Sequence, residues 1–344
     1  INVPPKSKPD TSGFEKLKKD LSAGRPDRLY IFHGEETYLR DHYLGRLREA
    51  VLTGGLGEFN RHDLSAKDMS PHALEEAVDC LPMMAERTLV EITDFDLFKA
   101  GEKEEYIRIL YNLPDYCCLV FLYDVLEYKP DARTKLAQAL KTHGTAVNFA
   151  RQGQRELTDW VRRHFKAQGK EIDLRLCEEL IFLCGDLMQN LQQEIGKISS
   201  YARGDRITRE DIEAVATPEL SAVVFRIAEA IGEKNYDKAA KVLGELYQMQ
   251  KSPYEIMSAL GKQQRQLYSA RLALDSGRNA AWVAKLWGMR YPADRLMVSA
   301  RRFSLPWCRR AVIRCAQTDL AMKSTGQDAK ELLTVLLLEL ANTA

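Results

Sequence analysis

Arg28-Leu29-Tyr30-Ile31-Phe32-His33-Gly34-Glu35-Glu36-Thr37-Tyr38-Leu39-Arg40-Asp41 sets the architecture of everything around it. Its apolar half has strand length and stops at a glycine, and helical spacing takes over from about Thr37 to Leu52. Strand, glycine turn and helix in that order are the setting of a phosphate-binding loop. Such a loop needs G-x-x-x-x-G-K followed by Ser or Thr, because backbone N–H groups cradle phosphate, the lysine neutralises it and the hydroxyl holds magnesium. Counted from Gly34, the last three of those positions hold Leu39, Arg40 and Asp41. Only the positive charge survives. Glu35 and Glu36 place negative charge where phosphate would enter, which suits a helix N-terminus and repels a nucleotide. The segment predicts the core of a phosphate-loop fold without nucleotide chemistry.

Outward from it, strands and helices alternate to about residue 150. Phe59 to Leu64 has the composition of a second strand. Ser70-Pro71 reads as a cap and first helical residue, and Ala73, Leu74, Ala77, Val78 and Leu81 carry helical spacing until Pro82. Arg87 to Ile92 is strand-like, Lys103 to Leu113 helical, and Cys117 to Asp124 an apolar run suited to a strand covered on both faces. An ATPase carries a metal-binding Asp and a catalytic Glu at the end of that strand. Here Asp124 precedes Val125, so Asp124 is read as a turn or cap residue. Arg133 to Lys141 is helical and Thr145 to Phe149 strand-like, completing a parallel α/β domain over 1–150.

Within that domain, Cys80-Leu81-Pro82-Met83-Met84-Ala85-Glu86 connects a helix to a strand yet is apolar. Connections run over the surface, where an apolar cluster usually marks a contact. Methionine suits a contact because its unbranched, polarizable side chain fits irregular pockets. Either Met83 and Met84 form such a contact, or both tuck under their own helix.

From Glu156 onward the spacing is helical. Leu157 to Gln168, Asp173 to Cys184, Asp186 to Ala202 and Thr208 to Ala216 are four short helices, the last opened by Thr208-Arg209-Glu210-Asp211 as a capping box with Asp in the acidic place. Thr217-Pro218 marks a boundary, giving a small helical domain over 151–218 and a helical bundle over 219–344. Helices are expected near 222–233, 236–249, 253–275, 280–287, 293–303, 306–323 and 328–340, with no fixed repeat.

The 344 residues are 45% hydrophobic and 29% charged, with a net charge of +1, which excludes a strongly basic nucleic-acid coat. From Glu219 to the end, 19 Lys/Arg stand against 12 Asp/Glu, whereas the earlier part has 31 against 37. The C-terminal part thus suits approach to an anion. Arg290, Arg295, Arg301, Arg302, Arg309, Arg310 and Arg314, interleaved with Tyr291, Phe303 and Trp307, form either a nucleic-acid face or solvated arginines around core aromatics. Seven scattered cysteines without C-x-x-C point to reduced thiols rather than disulfides or zinc. Neither the six histidines nor any nucleophile has a recognisable base partner, so no catalytic residue and no metal site is expected. No run approaches a membrane span and no signal-peptide pattern is visible. Ile1 to Asp10 is expected to be an unstructured or trimmed lead.

Tyr30-Ile31-Phe32-His33-Gly34-Glu35-Glu36, Leu81-Pro82-Met83-Met84-Ala85-Glu86-Arg87, Leu119-Val120-Phe121-Leu122-Tyr123-Asp124 and Asp186-Leu187-Met188-Gln189-Asn190-Leu191 resemble, in order and spacing, the delta subunit of the bacterial DNA polymerase III clamp loader. The resemblance spans nearly the whole chain. It implies an AAA+-like α/β domain, a helical lid and a C-terminal collar bundle, binding no nucleotide and no cofactor. It further implies a cytoplasmic replisome subunit of the DNA polymerase III holoenzyme, a nucleotidyltransferase complex, that opens or holds open the sliding clamp without hydrolysing ATP. The implied partners are the clamp, the ATPase subunits and delta-prime in a hetero-pentamer, and primed DNA. Clamp contact falls on Leu81, Pro82, Met83 and Met84, where members often carry a leucine and an aromatic in place of the methionine pair. Arg301, Arg302, Arg309 and Arg310 are the DNA candidates. The rival readings are an active AAA+ ATPase and a helical DNA-binding scaffold.

Overall fold

The computed structural model describes residues 10–54, 57–101, 103–289 and 293–342. The chain divides into two compact units, one α/β up to Gln152 with Leu187–Gln189 added, the other helical from Gly153 onward.

In chain order the first unit contains α1 (Ser12–Ser22), β1 (Leu29–His33), α2 (Thr37–Val51), β2 (Arg61–Ser65), α3 (Pro71–Asp79), β3 (Thr88–Thr93), α4 (Lys103–Tyr111), β4 (Cys117–Leu122), α5 (Lys135–His143) and β5 (Thr145–Asn148). The strands form one parallel sheet in the order β2-β3-β4-β1-β5, with Ile31 paired to Phe121 and Val90 to Leu119. Residue alternation sorts the side chains into two cores. Leu29, Ile31, Val90, Ile92, Leu119 and Phe121 pack under α3, α4 and α5, while Tyr30, Phe32, Leu89, Cys118, Val120 and Val147 pack under α1 and α2. Every residue of β4 is buried, as a central strand between two helix layers requires. Successive connections leave β1 toward β2 and β4 toward β5, so the carboxyl ends of the adjacent strands β1 and β4 form the switch point where open α/β sheets bind ligands.

The sheet edges differ. At one, β2 carries Arg61, His62 and Asp63 on a strand with no buried residue. At the other, α1 crosses β5 so closely that a Cβ on Gly13 would sit 1.8 Å from the Ala146 carbonyl oxygen.

Most boundaries fall within three residues of the sequence expectation, and two of the departures bear on the site. Residues Gly57–Asn60 form a 3-10 turn, and the second strand begins only at Arg61. Helix α3 stops at Asp79 instead of reaching Leu81, which is exposed. Pro82 disfavours helical geometry at Leu81, so the helix ends before the residue that precedes the proline. The Ser70 hydroxyl accepts the Ala73 N–H at the expected start.

The helical unit holds α6 (Gln154–Ala167), α7 (Leu174–Cys184), α8 (Met188–Tyr201, its first two residues grouped with the α/β unit), α9 (Arg209–Val215), α10 (Leu220–Gly232), α11 (Tyr236–Gln248), α12 (Pro253–Asp275), α13 (Ala280–Trp287), α14 (Asp294–Ala300), α15 (Leu305–Ser324) and α16 (Ala329–Asn342). The capping box at Thr208 forms with both bonds: Asp211 N–H to the Thr208 hydroxyl at 3.2 Å and Thr208 N–H to the Asp211 carboxylate at 2.9 Å. The 23-residue α12 is the axis of the bundle and packs against α10, α13, α14, α15 and α16. Its core runs from Val223 to Leu340. Among the described residues no helix is long and apolar enough to cross a membrane.

Candidate functional site

At the switch point the phosphate-loop geometry is present and its contents are changed. Gly34 has φ 123°, and a Cβ there would lie 2.5 Å from the Phe149 carbonyl oxygen, so only glycine fits. Arg40 is buried and donates from Nη1 to Asp124 at 2.6 Å and from Nε and Nη2 to Asp41, both at 3.0 Å. Burial opposes its charge, yet hydrogen bonds to Asp124 and Asp41 outweigh burial and hold its pKa above the ordinary arginine value. Asp124 stands in the bend after β4, as expected of a turn residue, and its side chain is in addition an ion-pair partner of Arg40.

Three further carboxylates fill the surroundings. The amides of Asp124, Val125 and Leu126 converge on Oδ1 of Asp94 at 2.8, 2.9 and 3.2 Å. Such a concavity of successive N–H groups is an anion nest, here filled by the chain's own side chain. Asp94 adopts a left-handed φ of 52° to reach it. Glu36, fully buried at the start of α2, accepts the Met188 N–H at 3.3 Å, and Glu35 pairs with Arg151 at 2.8 Å. Beside them His33 lies against the Tyr128 ring at 4.8 Å, and burial lowers its pKa from 6.5 to about 4.

The second feature is the connection after α3. Leu81 is 73% exposed, Met83 57% and Met84 86%, so the methionines do not tuck under their helix. The loop is nonetheless held. Asn60, 1% exposed, accepts the Met83 N–H at 2.5 Å and donates its amide to the Met83 carbonyl at 3.0 Å. Met84 then turns through a left-handed φ of 50°, a conformation that side chains other than glycine rarely adopt. Tyr116 donates to the Asp79 carbonyl at 3.1 Å before the loop, and Arg87 donates to the Pro26 carbonyl at 2.7 Å after it. The result is a fixed loop with apolar side chains pointing to solvent. Cys80, at its base, is the one exposed cysteine of seven. The sequence singles out Leu81, Pro82, Met83 and Met84, but not Asn60, which holds Met83, or its exposed neighbour Phe59, because both read as part of a strand. Their place after Gly54-Gly55-Leu56-Gly57 was the available signal for a turn; Gly55 and Leu56 lie outside the described residues.

The arginine-rich segment is less coherent. Phe303 and Trp307 stack at 4.1 Å inside the core, Arg302 pairs with Glu233 at 3.0 Å, Arg314 bonds Glu339, and Arg295 covers the Phe182 ring at 4.4 Å. Phe303 and Trp307 thus have no face to offer a base. Arg301, Arg309 and Arg310 are exposed and form no ion pair among the described residues. Arg290 and Tyr291 lie outside the described residues.

Comparison with known proteins places the chain. Residues 30–150 match the family model of DNA polymerase III, delta subunit, and residues 221–340 that of the DNA polymerase III delta subunit, C-terminal domain. Together these take in well over half of the chain. DNA polymerase III subunit delta of Bacillus subtilis is 27% identical over 336 residues, covering 94% of this chain and 95% of that one. A probable DNA polymerase III subunit delta of Aquifex aeolicus is 25% identical over 280 residues, 78% of each. The solved structure of the Bacillus subtilis DNA clamp loader delta protein has a TM-score of 0.59 at 23% identity, over 96% of this chain and 99% of that one, and shares the fold.

Proposed function

The chain belongs to the DNA polymerase III delta-subunit family, and on that premise we propose that it binds the sliding clamp and opens or holds open its ring, leaving ATP hydrolysis to partner subunits. The observation that carries this reading is the fixed apolar loop of Leu81, Pro82, Met83 and Met84, with both methionines exposed. Burying each methionine in a clamp pocket contributes roughly 1.5–3 kcal/mol, enough to anchor the contact without defining its whole surface. Fixing the loop in advance spares binding the cost of ordering it. Ring opening requires better binding to the open or strained clamp than to the closed one.

The phosphate loop supports a role without nucleotide. A phosphate entering near Arg40 would have to displace Asp124 and Asp41 and pass Glu35 and Glu36. This opposes the active-ATPase reading. In the helical unit the lid corresponds to 151–218 and the collar to 219–344, a division supported by a bundle core that begins at Val223. The collar joins the ATPase subunits and delta-prime in a hetero-pentamer of the polymerase holoenzyme, in the cytoplasm. Primed DNA meets the assembled complex, with Arg301, Arg309 and Arg310 as the available cations and Arg302 held by Glu233.

Capture of this chain by purified bacterial sliding clamp tests the proposal. The wild type is expected to be retained, and Met83→Asp with Met84→Asp to be lost while its circular dichroism is unchanged. Equal retention of both proteins would remove the site assignment.

A further inference from the structure

We infer that Phe59 is a third apolar anchor of the loop that meets the clamp, so that the contact surface is built from two segments far apart in sequence. The inference rests on the proposed clamp-binding role of the methionine loop and extends it to a residue outside that loop.

Phe59 belongs to the 3-10 turn Gly57–Asn60 and is 67% exposed. It is the one exposed phenylalanine of eleven; the other ten are buried or half-buried. A surface turn has no need of an aromatic ring, and burying this one in the fold would have removed a large apolar area from water. Its neighbour fixes where it stands. Asn60 spans to the backbone of Met83 with two hydrogen bonds of 2.5 and 3.0 Å. Consecutive Cα atoms are 3.8 Å apart, so Phe59 begins within about 10 Å of the Met83 peptide, closer than the reach of two facing side chains on one partner. Leu81, Met83, Met84 and Phe59 are thus exposed apolar side chains on two segments that Asn60 ties together at Met83. The edges of that surface are polar: Glu58 and Glu86 are exposed, and Arg61 pairs with Asp63 at 3.0 Å. An apolar centre with an aromatic and a polar rim is the anatomy of a protein contact. The occupant is the clamp, because the patch is continuous with the loop assigned to it, and a ring inserted beside two flexible methionines calls for an apolar pocket with room for an aromatic.

The test is the dissociation constant of the full chain for purified clamp, with alkylation of Cys80 in the free protein as a probe of loop order. Phe59→Ala is expected to weaken binding about tenfold or more, equivalent to at least about 1.4 kcal/mol. Phe59→Trp is expected to keep binding near wild type, and Cys80 alkylation in both variants to match wild type. Phe59→Ala binding like wild type, while Met83→Asp with Met84→Asp does not bind, overturns the inference and leaves the loop assignment standing. Weaker binding by Phe59→Ala accompanied by faster Cys80 alkylation overturns it too, since the ring would then act by bracing the loop. Unchanged binding by the double aspartate variant removes the loop assignment and the inference with it.

Discussion

Asn60 satisfies both the N–H and the carbonyl of Met83 with one buried side-chain amide, 23 residues away in sequence. A backbone segment exposed on its outer side is thereby given the hydrogen bonds it would otherwise find only within a strand or helix.

Asn60→Ala is expected to cost about 1–3 kcal/mol of stability, two hydrogen bonds at roughly 1 kcal/mol each with some desolvation left over. Clamp affinity should fall about tenfold, because ordering the loop then has to occur on binding. Asn60→Asp should be no better, since it keeps an acceptor for the Met83 N–H and turns a second oxygen on the Met83 carbonyl. Urea unfolding, clamp titration and Cys80 alkylation rates together check this; unchanged alkylation would mean that Asn60 does not hold the loop.

Met84→Gly separates stability from binding. Glycine relieves a left-handed φ of 50° and at the same time loosens the unfolded chain. These effects oppose each other at about 1 kcal/mol each, so unfolding should shift by less than about 1 kcal/mol. Clamp affinity should nevertheless drop about tenfold with loss of the exposed side chain. A variant that binds normally would show that the methionine side chain is not used.

Arg40→Met leaves Asp124 and Asp41 without their shared cation. Arg40 is buried but both acids are substantially exposed, so the expected cost is about 1–3 kcal/mol, below that of a fully buried pair. Adding Asp124→Asn should restore much of it. Neither the wild type nor Arg40→Lys should bind a fluorescent ATP analogue at millimolar concentration; saturable binding by the wild type would revive the ATPase reading.

His33 makes stability depend on acid. Its folded pKa of about 4 lies below the ordinary 6.5, so between those values the unfolded chain holds the proton and the folded chain does not. Stability is complete above about pH 6.5, falls as pH drops toward about 4, and is flat in this respect below it. Between pH 7 and 5 the His33 contribution amounts to at most about 2 kcal/mol. In urea titrations His33→Phe should therefore lose less stability than the wild type across that interval; equal losses would place the acid sensitivity elsewhere.

Much of this was legible in the chain. The strands announced themselves because a parallel sheet buried on both faces needs uninterrupted apolar runs such as Cys117 to Leu122, and the helices because capped segments such as Ser70-Pro71 and Thr208 mark their own starts. What escaped were relationships made by folding. Nothing local told that Asp124 would reach Arg40, 84 residues away, or that Asn60 would turn inward while Phe59 faced solvent. The interleaved arginines and aromatics left open a nucleic-acid face or solvated arginines around core aromatics, and the buried, stacked Phe303 and Trp307 fit the second.

The two borders of the sheet carry a last consequence. Charged β2 and the close crossing of α1 over β5 at Gly13 leave no invitation for a foreign strand. A neighbour in any assembly must therefore engage helices and turns rather than prolong the sheet. In the folded unit the same closure keeps the apolar strands from pairing edge to edge with those of a second copy, a safeguard against amyloid-like stacking.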